Sequence, residues 1–234
     1  MAYSALNARL ASAAEMTRQN AIFADIGTDH AYLPLFLLEE GRIEFAYCSD
    51  VNAGPLASAK KNAEEREMTE KMDFILTDGA TVLSGKGITD YAICGMGGEL
   101  IADIIHRAPH LKDPKINLIL QPMSRQAILR RFLAEAGFEI RAESYSLDAG
   151  KYYVCLLATY TGVCGMIDDT EAELGDPNCK FCGREARIGY LNNLLSSREK
   201  AARGKRIGGI SDASEDIIID ALKAEIDGLL KEGT

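Results

Sequence analysis

Apolar residues along the chain alternate between short compact runs and helical stripes. Ala21–Ile26, Glu44–Ser49, Met72–Leu76, Tyr91–Cys94 and Ile116–Leu120 are runs of strand length. Between them the spacing predicts helices: Leu33–Glu40, closed by Gly41; a segment with Leu56, Ala59 and Ala63 on one face; a segment carrying Leu100, Ile101, Ile104 and Ile105; and one carrying Ile128, Leu129, Phe132 and Leu133. Pro55 suits the first turn of the second of these helices. Ser124 is placed to cap the last one, and Gly137 to end it. A further helix is expected from Ala5 to Met16. After residue 136 the rhythm changes. Phe138–Ser146 and Tyr152–Thr159 are strand-like, with only Leu147 to Lys151 between them, which predicts an antiparallel hairpin.

Five parallel-type strands with crossover helices, closed by a hairpin, predict an α/β, Rossmann-like sheet covered on both faces. A plain dinucleotide-binding fold would continue the alternation; the terminal hairpin is the arrangement expected of class I methyltransferases. From Gly162 to Pro177 the chain is acidic and irregular, which reads as a linker or long loop. Two helical patterns follow, about 181–203 and 213–231, and the simplest reading is an antiparallel helical hairpin. The expected division is a catalytic domain over 1–162 and a linker with a coiled-coil-like C-terminal helical hairpin over 163–234.

Ionisable groups concentrate where strands end, and in an open α/β sheet ligands bind at the carboxyl ends of the strands, where strand order reverses. The first junction, Phe23-Ala24-Asp25-Ile26-Gly27-Thr28-Asp29-His30-Ala31-Tyr32-Leu33-Pro34, holds two carboxylates, a histidine and a tyrosine. Gly27 allows close backbone approach to a ligand. One glycine, where a dinucleotide fingerprint has three, argues against a pyrophosphate. A ligand with a sulfonium and an α-amino group fits an acidic crevice better. The second junction, Ser49-Asp50-Val51-Asn52, sets an acid about 25 residues after Asp25, near the spacing at which an acid reads a ribose. Asp78-Gly79 suits the edge of an adenine pocket and is equally a common turn signal. Cys94-Gly95-Met96-Gly97-Gly98 either makes room for a flat ligand or offers backbone N–H groups at a helix start.

The strings ADIGTDHAYLP (24–34), ICGMGGELI (93–101) and LILQP (118–122), in this order and spacing, resemble the bacterial tRNA (adenine(22)-N1)-methyltransferase family. The resemblance covers roughly residues 5 to 160, and a helical hairpin after the catalytic domain is also a feature of that family. It implies methyl transfer from S-adenosylmethionine to N1 of an adenine in the D-arm of tRNA. The expected donor-binding set is then Asp25, Gly27 and Thr28, with Asp50, Val51 and Asn52, then Asp78 and Gly79, and finally Gly95, Met96 and Gly97. Asp29 is the expected catalytic carboxylate, His30 its hydrogen-bonding or shuttling partner, and Tyr32 a stacking platform. Neutral adenine N1 needs no strong base, and a carboxylate stabilises the cationic product as charge develops. N1 lies on the Watson–Crick edge, so a paired adenine must leave its helix.

The net charge of −9 argues against nucleic-acid binding by bulk charge, but local balance matters more. Residues 107–131 hold six basic residues and one acid, and residues 181–206 hold seven and two, whereas the last helix is acidic. Arg9, Arg125, Arg130, Arg131, Arg184, Arg187, Arg198, Lys200 and Arg203 are therefore the candidate tRNA contacts, with Arg18 a possible extension of that surface. The alternative is a pair of helices joined by opposite charge, each with a solvated face. Cys179 and Cys182 have metal-ligand spacing but lack the second pair or histidines of a structural zinc site, so no metal is expected. No charged start followed by an apolar core is evident, and no apolar run approaches the ~18 residues of a membrane span. The expected setting is cytoplasmic, with no membrane and no obligate protein partner. The competing readings are a class I methyltransferase acting on a small molecule or protein, and a non-catalytic RNA-binding module of the same fold.

Overall fold

The computed structural model describes residues 6–175, 180–207 and 212–231. Helix α1 (Ala8–Met16) precedes strand β1 (Ala21–Ile26). Then β1 alternates with α2 (Tyr32–Glu39), β2 (Ile43–Asp50), α3 (Ala53–Glu65) and β3 (Met72–Leu76). The second half continues with β4 (Asp90–Gly97), α4 (Gly98–His106), β5 (Asn117–Ser124) and α5 (Gln126–Glu135). It closes with β6 (Phe138–Asp148) and β7 (Lys151–Tyr160). The strand order is β3-β2-β1-β4-β5-β7-β6, with β1 to β5 parallel and β7 antiparallel to both neighbours. The β6–β7 turn places Ala149 and Gly150 at φ 47° and 77°, the left-handed pair that matches the twist of a two-residue hairpin.

Residues of β1, β4 and β5 alternate between two cores, because successive side chains leave a strand on opposite faces. Ala24, Ile26, Ile93, Leu118 and Leu120 belong to the core shared with α4 and α5. Phe23, Ala92 and Ile119 belong to the core shared with α1, α2 and α3. Helices on both faces explain why these strands read as continuous apolar runs.

The tail keeps its expected helical hairpin and differs from its expected form in two ways. The acidic stretch contains helix α6 (Asp169–Leu174), started by a capping box between Asp168 and Glu171. Lys180–Cys182 forms β8, which pairs parallel to β6 and extends the sheet to eight strands. Helices α7 (Arg184–Ile207) and α8 (Ala213–Lys231) then form the antiparallel pair, with Arg206 near Asp216 at one end and Arg187 near Glu225 towards the other. Their small core is Leu191, Ile218, Leu222, Ile226 and Leu229.

Ser124 is not the cap of α5. It ends β5, and Arg125, in the left-handed region at φ 59°, occupies the cap position without a side-chain hydrogen bond.

Two residues expected on a tRNA-facing surface are buried. Arg130 is 1% exposed; its Nε donates to Glu143 Oε1 at 2.9 Å and its Nη1 to the carbonyls of Ala172 and Glu173. Tyr145 donates its hydroxyl to the same Glu143. Arg187 is 2% exposed, ion-paired with Glu225 at 2.9 Å, and its guanidinium lies over the Tyr145 ring. Both arginines bind the tail to the sheet instead of facing solvent. Arg18 is likewise committed: it donates to Asp90, which is wholly buried at the start of β4.

Candidate active site

Strand order reverses between β1 and β4, and their carboxyl ends open a cleft of about 240 Å³. Asn7, Arg9, Leu10, Asp25, Gly27, Asp29, Tyr32 and Cys94 are among the residues lining it. The first junction therefore delivers its chemistry to one place.

After Asp25 the chain leaves the sheet in a tight turn. The Gly27 and Thr28 amides both donate to the Ser49 carbonyl, at 2.8 and 2.9 Å, which pins the turn against β2. Gly27 has φ +75°, a conformation strained for any side chain, and a Cβ there would also push aside the flexible end of Met96. Asp25 is buried and accepts the Thr28 hydroxyl at 2.6 Å. Burial pushes its pKa up from 3.8 to about 6, against the opposing effect of the Thr28 hydrogen bond and, more weakly, of the Arg9 charge.

His30 and Ala31 follow at φ 62° and 54°. Two successive left-handed residues that are not glycine mark a strained step. The Asn62 side-chain amide on α3 holds it by donating to the His30 carbonyl at 2.9 Å, and Ala31 is wholly buried. The step turns the Asp29 carboxylate outwards, 3.3 Å from His30 Nε2. It also stacks the His30 and Tyr32 rings, with centroids 5.3 Å apart and planes 20° from parallel. Asp29, His30 and Tyr32 thus form one exposed cluster on the cleft rim, Asp29 being 75% exposed at its side chain.

The remaining junctions lie along the same edge of the sheet. Asp50 Oδ1 accepts the Asn52 amide at 2.7 Å, which fixes the carboxylate and leaves its other lone pairs for a diol. Val51 and Leu76 are apolar and more than 60% exposed, and Leu76 is the register partner of Asp50 on β3. Such surface suits a flat ring. Asp78 is held by the two terminal guanidinium nitrogens of Arg107, at 2.9 and 3.3 Å, and Gly79 packs near the same arginine. At the fourth junction Gly95 has φ +79° and its amide donates to Gln121 Oε1 at 3.1 Å. Gly97 precedes α4, and a Cβ on Gly98 would overlap the Arg125 carbonyl, so that glycine serves the fold.

Several contributors went unread in the sequence. Gln121 is wholly buried and receives Arg9 Nη1 at 2.6 Å; its only signal was its place in LILQP. Arg107 counted only as one of the basic residues of 107–131, and Asn62, Asn7 and Leu76 carried no signal. Arg9, expected on a tRNA-facing surface, lines the cleft. Cys182 is exposed, whereas Cys179 lies outside the described residues.

An open sheet with this strand order, acids at three strand ends and a single-glycine turn at the reversal define a class I methyltransferase. A methyltransferase-domain family model matches residues 6–156. The tRNA (adenine(22)-N(1))-methyltransferase of Bacillus subtilis (strain 168) is 31% identical over 198 residues, which span 84% of this chain and 77% of the relative. A Streptococcus pneumoniae protein crystallised with S-adenosyl-L-methionine superposes with a TM-score of 0.77 at 30% identity, over 93% of this chain and 97% of that one. M. capricolum TrmK bound to S-adenosyl-homocysteine gives 0.74 at 26% identity, over 95% and 98%. The chain belongs to the tRNA (adenine(22)-N1)-methyltransferase family, whose members are S-adenosylmethionine-dependent enzymes.

Proposed function

We propose that this protein methylates N1 of adenine 22, in the D-arm of bacterial tRNA, in the cytoplasm. The observation that carries the reading is the Asp29–His30–Tyr32 cluster on the rim of the cleft where strand order reverses. The residues fit the donor: Asp50 for the ribose diol, exposed Val51 and Leu76 for the adenine ring, Asp78 for its amine, and Asp25 for the cationic end. When bound, S-adenosylmethionine supplies an electrophilic methyl group on a sulfonium.

The chain's own groups then act on the target base. Tyr32 offers a ring face that offsets part of the cost of unstacking the adenine. Adenine N1 uses its lone pair directly, so Asp29 has no proton to remove before the bond forms. As the base becomes cationic, the Asp29 carboxylate stabilises the charge and can accept a proton from the exocyclic amine. His30, within reach of Asp29, orients that carboxylate or passes the proton on.

For the tRNA backbone, Arg125 stands on the same edge, with its side chain 67% exposed, and Lys200 and Arg203 lie exposed along α7. Arg131, Arg184 and Arg198 are engaged by Asp169, the Leu229 carbonyl, and Glu173 with Glu215. They contribute less.

The test is methyl transfer from labelled S-adenosylmethionine to unmodified tRNA transcripts, with the product nucleoside identified by mass spectrometry. The expected product is 1-methyladenosine, lost when adenine 22 is replaced. Donor binding with no methylated tRNA would overturn the substrate and move the search to small molecules or proteins.

A further inference from the structure

An adenine that presents N1 to the donor has left its stack, and the nucleotides on either side of it lose a stacking neighbour. A base exposed in this way needs a new surface against its face. Tyr32 is a single ring on the cleft rim, and the stacked His30 ring already covers one side of it. The rim alone therefore does not hold both the target base and a neighbour.

A second cavity, of about 290 Å³, lies beside the cleft, between α1 and α2. Asn7, Leu10 and Tyr32 line both, so the two cavities meet at the rim. Tyr32, Phe36 and Glu39 follow one another at helical spacing along one face of α2, and the cavity runs down that face for about 10 Å. Leu6 and Leu10 form the opposite wall. At the far end Arg66, which closes α3, donates to Glu39 Oε1 at 3.1 Å, the two side chains being 17% and 19% exposed. Among the described residues these are the only charges lining the cavity, and they cancel. A seat for a phosphate would carry unmatched cations. This cavity offers apolar and aromatic walls and, at one end, donors beside an acceptor. A nucleobase has the matching chemistry: a face that stacks on rings and an edge that carries both kinds of hydrogen-bonding group.

We propose that the second cavity receives the base of a nucleotide adjoining the methylated adenine in the tRNA chain. The enzyme then holds two unstacked bases, the target on the Tyr32 rim and its neighbour against Phe36. Leu6, Leu10 and Phe36 cover the face of that neighbour, and Glu39 with Arg66 meets its edge. Three uncharged residues thereby join the RNA-binding surface, and the first turn of α1 takes part in holding the substrate. The inference rests on tRNA being the substrate.

Filter binding of the whole protein to three transcripts tests it: intact tRNA, and tRNA lacking the base on the 5′ or on the 3′ side of the target adenine. Methylation of the intact transcript by the unaltered protein establishes the substrate first, so failure there is distinct from failure of the cavity assignment. Phe36→Ala is expected to weaken the intact transcript about 5- to 100-fold, the worth of a base stacked on a ring, and to leave S-adenosylhomocysteine binding within about twofold. On at least one abasic transcript the unaltered protein should show the same loss, and Phe36→Ala should add nothing to it. Leu6→Ala, which lies ahead of α1 and serves if the Phe36 variant does not fold, should show the same coupling at a smaller size. Losses that add on both abasic transcripts, or folded variants that bind intact tRNA as the parent does, would overturn the inference and leave the cavity to the chain's own packing.

Discussion

Thr28 closes its turn on Asp25 by donating a 2.6 Å hydrogen bond to a carboxyl that burial makes hard to ionise. The folded protein holds the Asp25 proton up to about pH 6, whereas the unfolded chain releases it near 3.8. The stability linked to that proton is present in full below pH 3.8 and is lost as pH rises through 6.

Asp25→Asn cannot ionise and so escapes this loss. Thermal unfolding at pH 7.5 should show it more stable than the parent, by on the order of 2–3 kcal/mol, and at pH 3.5 the two should converge. S-adenosylhomocysteine binding should weaken in this variant. In the parent, binding should weaken as pH falls through about 6.

The proposed roles set Asp29 and Asp50 on different sides of the reaction. Asp29→Ala is expected to abolish turnover and leave S-adenosylhomocysteine binding largely intact, whereas Asp50→Ala weakens that binding itself. Paired calorimetry and single-turnover assays check the division, and equal loss of binding in both variants would refute it.

Glu143 is a buried acid satisfied by Arg130 and Tyr145. Arg130→Met strands it and removes the donor from the Ala172 and Glu173 carbonyls, at a cost of about 3–5 kcal/mol. Urea unfolding should show this loss, and adding Glu143→Leu should restore much of it. The single variant should also loosen α6 from α5, visible as faster amide exchange there.

Lys200 and Arg203 are exposed on α7, whereas Arg187 on the same helix is buried. Replacing either exposed residue by Ala should lower the slope of log K for tRNA binding against log salt by about 0.7–0.9. Arg187→Met should leave that slope unchanged and lower the stability of the α7–α8 pair. Filter binding at several salt concentrations separates the two effects.

The parallel sheet was legible because each strand is apolar on both faces and each crossover helix carries one stripe. Leu147 to Lys151 is too short for a helix, which left only a hairpin. Helix α6 was not legible: six residues inside an acidic stretch give no period. Neither was β8, three residues long, whose pairing depends on a partner some 40 positions earlier. The fates of Arg130 and Arg187 were hidden for the same reason. Charge in a sequence reads as surface, and only distant residues, Glu143 and Glu225, make burial tolerable. At the candidate site the acids could be read because they end strands, while Gln121 and Arg107 act through contacts that sequence spacing does not encode.

His30 and Ala31 adopt a backbone shape that glycine takes without penalty and other residues take at roughly 1–2 kcal/mol each. Glycine at both positions would relieve the folded state but let the unfolded chain wander further, and it would let Asp29 and Tyr32 swing independently. The side chains kept at this step make the turn stiff. With the roles proposed for Asp29 and Tyr32, aim at the target base is thus secured by a local sacrifice of stability, with Asn62 as the latch.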